Sequence, residues 1–162
     1  MEYRDLIKKY KYKKVWNTSF ANELGRLAEG IREVKGISTI HFTAKTEFPK
    51  DRLKNVTYGR IVVTYEQQKK DPNRSRLTVG GDRITCPFDI STPTANLPTI
   101  KMLWNSVLST PGSKFFTVDI ANFYLSTLMD RPEFMRFPMK IIPQEIIDKY
   151  NLEEIATNGW VY

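Results

Sequence analysis

The chain has 162 residues, 41% of them hydrophobic and 12% aromatic, a composition that argues against intrinsic disorder and suits one packed domain or one lobe of a larger protein. A formal net charge of +7 favours polyanionic partners, such as nucleic acid or an anionic membrane surface. One cysteine and one histidine exclude an internal disulfide and argue against a zinc site, and no apolar run approaches the roughly 18 residues that a membrane span needs.

The first fourteen residues are basic and lack the apolar block of a secretory signal, so a reducing intracellular setting is expected. Their lysines are interleaved with Tyr10 and Tyr12, which predicts a solvated, frayed terminus or linker. From Trp16 to Ile31 the apolar residues recur at helical spacing, and this pattern predicts a packing helix whose stop is bracketed by Gly30 and Gly36.

Short runs of β-forming residues follow this helix. The alternation over Thr39–Lys45 predicts a strand, and so does the β-branched and aromatic run Thr57–Glu66. A charged turn, Lys69–Ser75, separates that run from Arg76–Val79. The two runs therefore predict an antiparallel hairpin with a basic tip, closed by Gly80 and the glycine after it.

The second half of the chain alternates between helix and strand patterns. A proline-rich connection precedes a strongly amphipathic helix that Pro98 opens and Pro111-Gly112 ends. Lys114–Asp119 and Glu133–Phe137 are predicted strands, the first of them buried, and Pro143–Tyr150 is a predicted helix. The final residues, NGWVY, resemble a strand that would leave an unpaired edge, and we expect the sequence to be cut from something longer.

Asp119 is the residue in this pattern that demands an explanation. It stands between Val118 and Ile120 in an apolar run, where an ionised carboxylate is costly unless a cation or a donor pairs with it. A carboxylate at a strand end is a typical ligand of Mg²⁺ in enzymes that transfer phosphoryl or nucleotidyl groups. The alternative is an aspartate that caps the following turn, because one carboxylate does not make a metal site.

The residues around Asp119 resemble the segment of copia-type retrotransposon reverse transcriptases that carries the first catalytic aspartate. That family's form is roughly an apolar strand, Asp-Val-x-x-Ala-Phe-Leu, and then acidic-x-x-Tyr-Met-x-x-Pro. Here the two parts read VDIANFYL over residues 118–125 and RPEFMRFP over residues 131–138. Upstream, RLTVGG over 76–81 resembles a fingers strand of the family, STPT over 91–94 its Phe-Ser-Pro-Val segment, and Trp16 with Glu23-Leu24 its opening pattern.

The resemblance implies roles for individual residues. Asp119 would be catalytic and would coordinate Mg²⁺, with Mn²⁺ as an alternative ion, and the backbone carbonyl of Ile120 would help to hold one ion. Tyr124 matches the aromatic gate under the incoming sugar. Arg76 would grip the triphosphate of the incoming nucleotide with its guanidinium fork. The remaining contacts, to template or phosphate, would come from the hairpin tip: Lys69, Lys70 and Arg74.

The resemblance also implies an α+β fold, with reverse-transcriptase-like fingers made of an antiparallel hairpin and helices, and an incomplete palm. We therefore divide the chain into a basic segment (1–14), a fingers-like region (15–97) and a partial palm (98–162). Thr78 and Gly81 depart from the family's usual residues, Asn122-Phe123-Tyr124 is an unusual variant, and the Tyr-x-Asp-Asp motif that supplies further aspartates does not occur. The fragment alone should be inactive, since two-metal chemistry needs more than one carboxylate.

The expected partners are an RNA or DNA primer–template, deoxynucleoside triphosphates and the rest of a polyprotein beyond Tyr162, with no membrane. The expected location is the cytoplasm, a virus-like particle or the nucleus. Two alternatives stay open: a non-catalytic nucleic-acid-binding module that uses the basic segment and the hairpin, and a degenerate element remnant without activity. A self-contained hydrolase is the last of the functions considered, because no Ser/His/Asp or Cys/His set can be drawn from the single histidine.

Overall fold

A computed structural model describes residues 2–85, 94–127, 129 and 131–162. The described residues form two compact units: unit 1 contains residues 2–85, 129 and 131–162, and unit 2 contains residues 94–127. The fold is mixed α and β, as expected at that coarse level. The α-helices of the described part are α1 (Tyr3–Lys8), α2 (Tyr10–Leu27), α3 (Leu97–Ser109), α4 (Gln144–Lys149) and α5 (Leu152–Ile155). Its strands are β1 (Gly30–Ile31), β2 (Val34–Lys35), β3 (Thr57–Tyr65), β4 (Asn73–Val79), β5 (Met135–Pro138) and β6 (Trp160–Val161).

The N-terminal residues are helical, and the expectation of a frayed terminus is wrong. Tyr3 and Leu6 lie one helical turn apart in α1, so both face the core and both are buried. The ring of Tyr3 meets that of Phe20 in α2 edge to face, with 5.0 Å between the centroids. Apolar contact with α2 therefore orders a segment whose charge alone predicts disorder.

Helix α2 begins earlier and ends earlier than its periodicity indicated. The predicted apolar positions are all buried, but the helix ends at Leu27, and Ile31 belongs to β1. Gly30, with a φ of +99°, starts the two-stranded antiparallel pair β1–β2. The strand predicted over Thr39–Lys45 is absent: the segment carries no regular structure before a short 3₁₀ turn that begins at Lys45.

The main sheet has the strand order β4-β3-β5-β6. The predicted hairpin is confirmed, since β3 and β4 are antiparallel with Gly59 opposite Val79 and Tyr65 opposite Asn73. Strand β5 runs parallel to β3, and β6 is antiparallel to β5. One face of this sheet is covered by α1, α2, α4 and the segments around them, and these elements enclose the core.

The C-terminal strand is less open than expected. The backbone N–H and carbonyl of Trp160 both bond to Thr157, and the N–H of Thr43 donates to the carbonyl of Tyr162. These bonds occupy the side of β6 that β5 leaves free, so the predicted unpaired edge is wrong for this strand. The helix predicted over Pro143–Tyr150 is confirmed as α4.

Unit 2 contains α3 and the segment that carries Asp119. Asn96 caps α3 by accepting a hydrogen bond from the Thr99 N–H at 2.9 Å, and Pro98 lies in its first turn, as predicted. The strand predicted over Lys114–Asp119 is absent and the segment is exposed: the relative exposure of Phe116 is 83%. No strand pairs with it among the described residues, and a strand without a hydrogen-bonded neighbour is not a stable element.

Candidate functional site

Asp119 lies at the point where an extended segment enters a tight turn. Residues 121–123 form this turn, in which Asn122 has a φ of +58°, and a 3₁₀ turn begins at Tyr124. The carboxylate of Asp119 is exposed to solvent, so its position in an apolar run carries no burial penalty. The N–H of Phe123 donates to the carbonyl of Ile120 at 3.3 Å, and Ile120, rather than the Asp119 side chain, closes the turn.

The turn curls around an open depression of about 540 Å³ that residues 118–125 line. Asp119, Ile120 and Tyr124, which the sequence placed in one site, all lie on its wall. Tyr124 is 79% exposed and meets the Phe123 ring edge to face at 5.4 Å. The depression thus combines one carboxylate, a backbone carbonyl and exposed aromatic rings.

The other predicted site residues lie on the β3–β4 hairpin in unit 1. Arg76 and Arg74 point to the same side of β4, opposite Val62 and Thr64 of β3, and both arginines are exposed. Arg74 approaches Glu66 at 3.9 Å, a distance at which an exposed pair contributes little. Lys69 and Lys70 are exposed in the connecting turn. The structure therefore gathers these four cations on one hairpin, whereas Asp119, Ile120 and Tyr124 belong to unit 2.

The same side of the sheet carries further residues that the sequence did not single out. Strand alternation places Tyr58 and Arg60 on the same side of the sheet as Arg76, because the burial of β3 alternates from residue 57 to residue 64. Across the sheet, Tyr58 is in register with Arg136 of β5, and the Arg136 guanidinium lies 4.7 Å from the centroid of the Trp160 ring in β6. We call this side the open face and define it by six residues: Tyr58, Arg60, Arg74, Arg76, Arg136 and Trp160.

Two acidic residues of the sequence motifs have structural partners. Glu23 of α2 accepts a hydrogen bond from the Leu77 N–H of β4, and it forms an ion pair with Arg26 at 2.9 Å. Glu133 lies between two arginines, 2.7 Å from Arg52 and 3.1 Å from Arg131. These contacts hold the hairpin on α2 and fix the entry into β5, so both residues position the sheet.

Burial raises the pKa of two tyrosines outside these surfaces. Tyr3 lies in the core and donates a hydrogen bond to Asn17 at 3.1 Å, and burial raises its pKa far above the ordinary value. Burial also raises the pKa of Tyr150, whose hydroxyl donates to the Gly30 carbonyl at 2.7 Å. The Tyr3 phenol thus joins α1 to α2, and the Tyr150 phenol joins the end of α4 to β1.

No group of three or more histidine, cysteine, aspartate or glutamate residues in the described ranges could hold a metal ion. Asp119 is the one carboxylate among residues 118–125, so this loop by itself does not form a complete Mg²⁺ site. The described helices include none that is both long and apolar enough to cross a membrane. Comparison with family models, with curated proteins and with solved structures finds no match to this chain.

Proposed function

We propose that this chain is the fingers and the first part of the palm of an RNA-directed DNA polymerase of the copia retrotransposon type. The proposal rests on the ordered resemblance described above, which extends from Trp16 to Pro138. The observation that carries it is the placement of Asp119: its carboxylate is exposed where an extended segment enters a turn, next in sequence to Ile120 and on the same depression as Tyr124. An exposed carboxylate is available to a metal ion, as a ligand must be.

In the complete polymerase, bound Mg²⁺ or Mn²⁺ would neutralise the charge that develops on the phosphates during nucleotidyl transfer. Asp119 would supply one carboxylate ligand, and Tyr124 would limit the space under the sugar. Arg76 would hold the triphosphate bidentately. The described residues include no group of three or more side chains that could hold a metal ion, so we propose that the segment following Tyr162 supplies the further carboxylates and that this chain alone does not polymerise.

The test is to read and express the reading frame beyond Tyr162 and to measure template-primed deoxynucleotide incorporation with Mg²⁺. We expect Asp119→Asn to lower incorporation more than about 100-fold, because even outer-shell partners of a metal cost about 10- to 100-fold. Asp51→Asn, which removes another exposed carboxylate, is the matched control and should retain activity. Asp119→Asn should leave the free energy of unfolding within about 0.5 kcal/mol of the original, since the side chain is exposed. A reading frame that reaches a stop codon after Tyr162 without encoding a pair of acidic residues would refute the proposal.

A second candidate function is a non-catalytic nucleic-acid-binding module. The exposure of Lys69, Lys70, Arg74 and Arg76 on one hairpin favours it. This candidate predicts that the chain binds nucleic acid equally well with and without Mg²⁺, and that Asp119→Asn leaves binding unchanged. Anisotropy titrations of the original chain and of this variant, with and without EDTA, separate the two functions.

A further inference from the structure

The open face is the cationic side of the main sheet, and its arginines on β3 and β4 are exposed. The opposite side buries Phe137 of β5 and Val161 of β6, whereas the arginines of the β3–β4 hairpin stay exposed. Four arginines stand on the open face, and the strands β3–β6 themselves contain no aspartate or glutamate. Two carboxylates flank the face: Glu66 lies 3.9 Å from Arg74, and Asp82 lies beside Gly80. Such a surface attracts a polyanion.

Aromatic rings accompany these cations. Tyr58 is 42% exposed, and its ring lies against Gly80: a Cβ on that glycine would be 2.6 Å from the ring. The absence of a side chain at Gly80 therefore lets the Tyr58 ring lie against the backbone just after β4. At the other end of the face, Arg136 stacks over Trp160, which holds a guanidinium plane and an indole together. Rings and guanidinium planes are the surfaces on which unpaired bases stack.

We infer that the open face binds a single-stranded nucleic acid, with arginines on the phosphates and bases stacked on Tyr58 and on the Arg136–Trp160 pair. A paired duplex hides its base faces, so it would use the charges but not the rings. An anionic membrane is the poorer fit, since this face lacks the large apolar side that an interfacial element inserts. The inference deepens the proposed function by naming the form of nucleic acid, but it involves neither Asp119 nor a metal.

The test uses the full chain carrying Asp119→Asn, so that its outcome is independent of polymerase activity. A labelled single-stranded oligonucleotide of about 12 nucleotides, within the range of site sizes known for single-strand-binding surfaces, is titrated by anisotropy at several salt concentrations. The negative slope of log K against log salt should become less steep by about 1.4 in the double variant Arg60→Gln/Arg136→Gln, as expected for two lost single-strand phosphate contacts. Arg32→Gln/Lys35→Gln, on and beside the separate β1–β2 pair, removes the same charge and should leave the slope nearly unchanged.

Stacking has its own readout. In a Trp104→Phe background, Trp160 is the partly exposed tryptophan, since Trp16 is buried. The oligonucleotide should quench the fluorescence of Trp160. The substitution Trp160→Leu should weaken binding at least about fivefold, the lower bound for the loss of one stacked base.

Three results would overturn the inference: equal weakening by the control double variant, a duplex that binds as tightly as the single strand, or tight binding to phosphatidylserine vesicles with none to the oligonucleotide. Circular dichroism of each variant checks that its fold is intact.

Discussion

Glu23 of α2 accepts a hydrogen bond from the backbone N–H of Leu77 in β4, with 3.3 Å between donor and acceptor. One helical turn earlier, the Ser19 hydroxyl lies 2.8 Å from the carbonyl of Asn73. Because β4 is the first strand in the sheet order, these two side chains cover backbone groups on its free edge. The helix thereby satisfies polar groups that would otherwise invite another strand.

Removing Glu23 should therefore destabilise the protein and expose this edge. We expect Glu23→Ala to lower the free energy of unfolding by about 1–3 kcal/mol, because it leaves a half-buried N–H without its acceptor. Chemical denaturation measures the change. Glu33→Ala, which truncates an exposed glutamate, is the control and should shift the stability by less than about 0.5 kcal/mol. Equal effects of the two variants would contradict the edge-covering role.

The buried phenol of Tyr3 predicts a loss of stability in alkali. Burial raises the pKa of Tyr3 above its ordinary value of 10.0, so the folded state retains a proton that the unfolded chain releases. The contribution is complete below pH 10 and decreases as the pH rises above it, by up to about 1.4 kcal/mol per pH unit for one proton. Denaturation at several pH values between 9 and 11 should show this slope, and Tyr3→Phe should reduce it. Tyr10→Phe, at a position 96% exposed, should leave it unchanged.

Glu133 should stabilise the start of β5 through its two arginines. Its side chain is 13% exposed, and we expect Glu133→Gln to lower the free energy of unfolding by about 1–3 kcal/mol, since a charged hydrogen-bond partner is lost. The double variant Arg52→Met/Glu133→Met should be more stable than Arg52→Ala, which leaves the carboxylate with fewer partners. Thermal unfolding compares these variants. A change below about 0.5 kcal/mol for Glu133→Gln would show that solvent replaces the ion pairs.

The lysines at the hairpin tip should contribute to affinity without contributing to stability. Both Lys69 and Lys70 are exposed, so Lys69→Gln/Lys70→Gln should leave the melting temperature unchanged. If both lysines contact duplex phosphates, the negative slope of log K against log salt for a primer–template should become less steep by about 1.8 in this variant. Lys35→Gln/Lys140→Gln is the charge-matched control. An unchanged slope in the Lys69→Gln/Lys70→Gln variant would show that these lysines do not contact the phosphates of the primer–template.

The elements that could be predicted from the amino-acid sequence are those whose signals are local. The β3–β4 hairpin follows from two β-forming runs around a turn of Asp, Pro and Asn, and α3 follows from its amphipathic pattern and from Pro98 at its start. The turn after Asp119 was also readable, because Asn tolerates the left-handed backbone that Asn122 adopts. In each of these cases the signal lies in a turn or at a helix start, within a few residues along the chain.

Tertiary structure decided what local signals could not. Residues 3–8 are helical because Tyr3 packs against Phe20. The alternation of lysines and tyrosines in the sequence does not predict this contact. The segments 39–45 and 114–119 look like strands, yet neither forms one, because a strand exists only where a neighbour supplies its hydrogen bonds. Likewise, Arg60, Arg136 and Trp160 share the open face only because β3, β5 and β6 pair in one register. Alternation orients each side chain, but pairing between distant segments determines which side chains become neighbours.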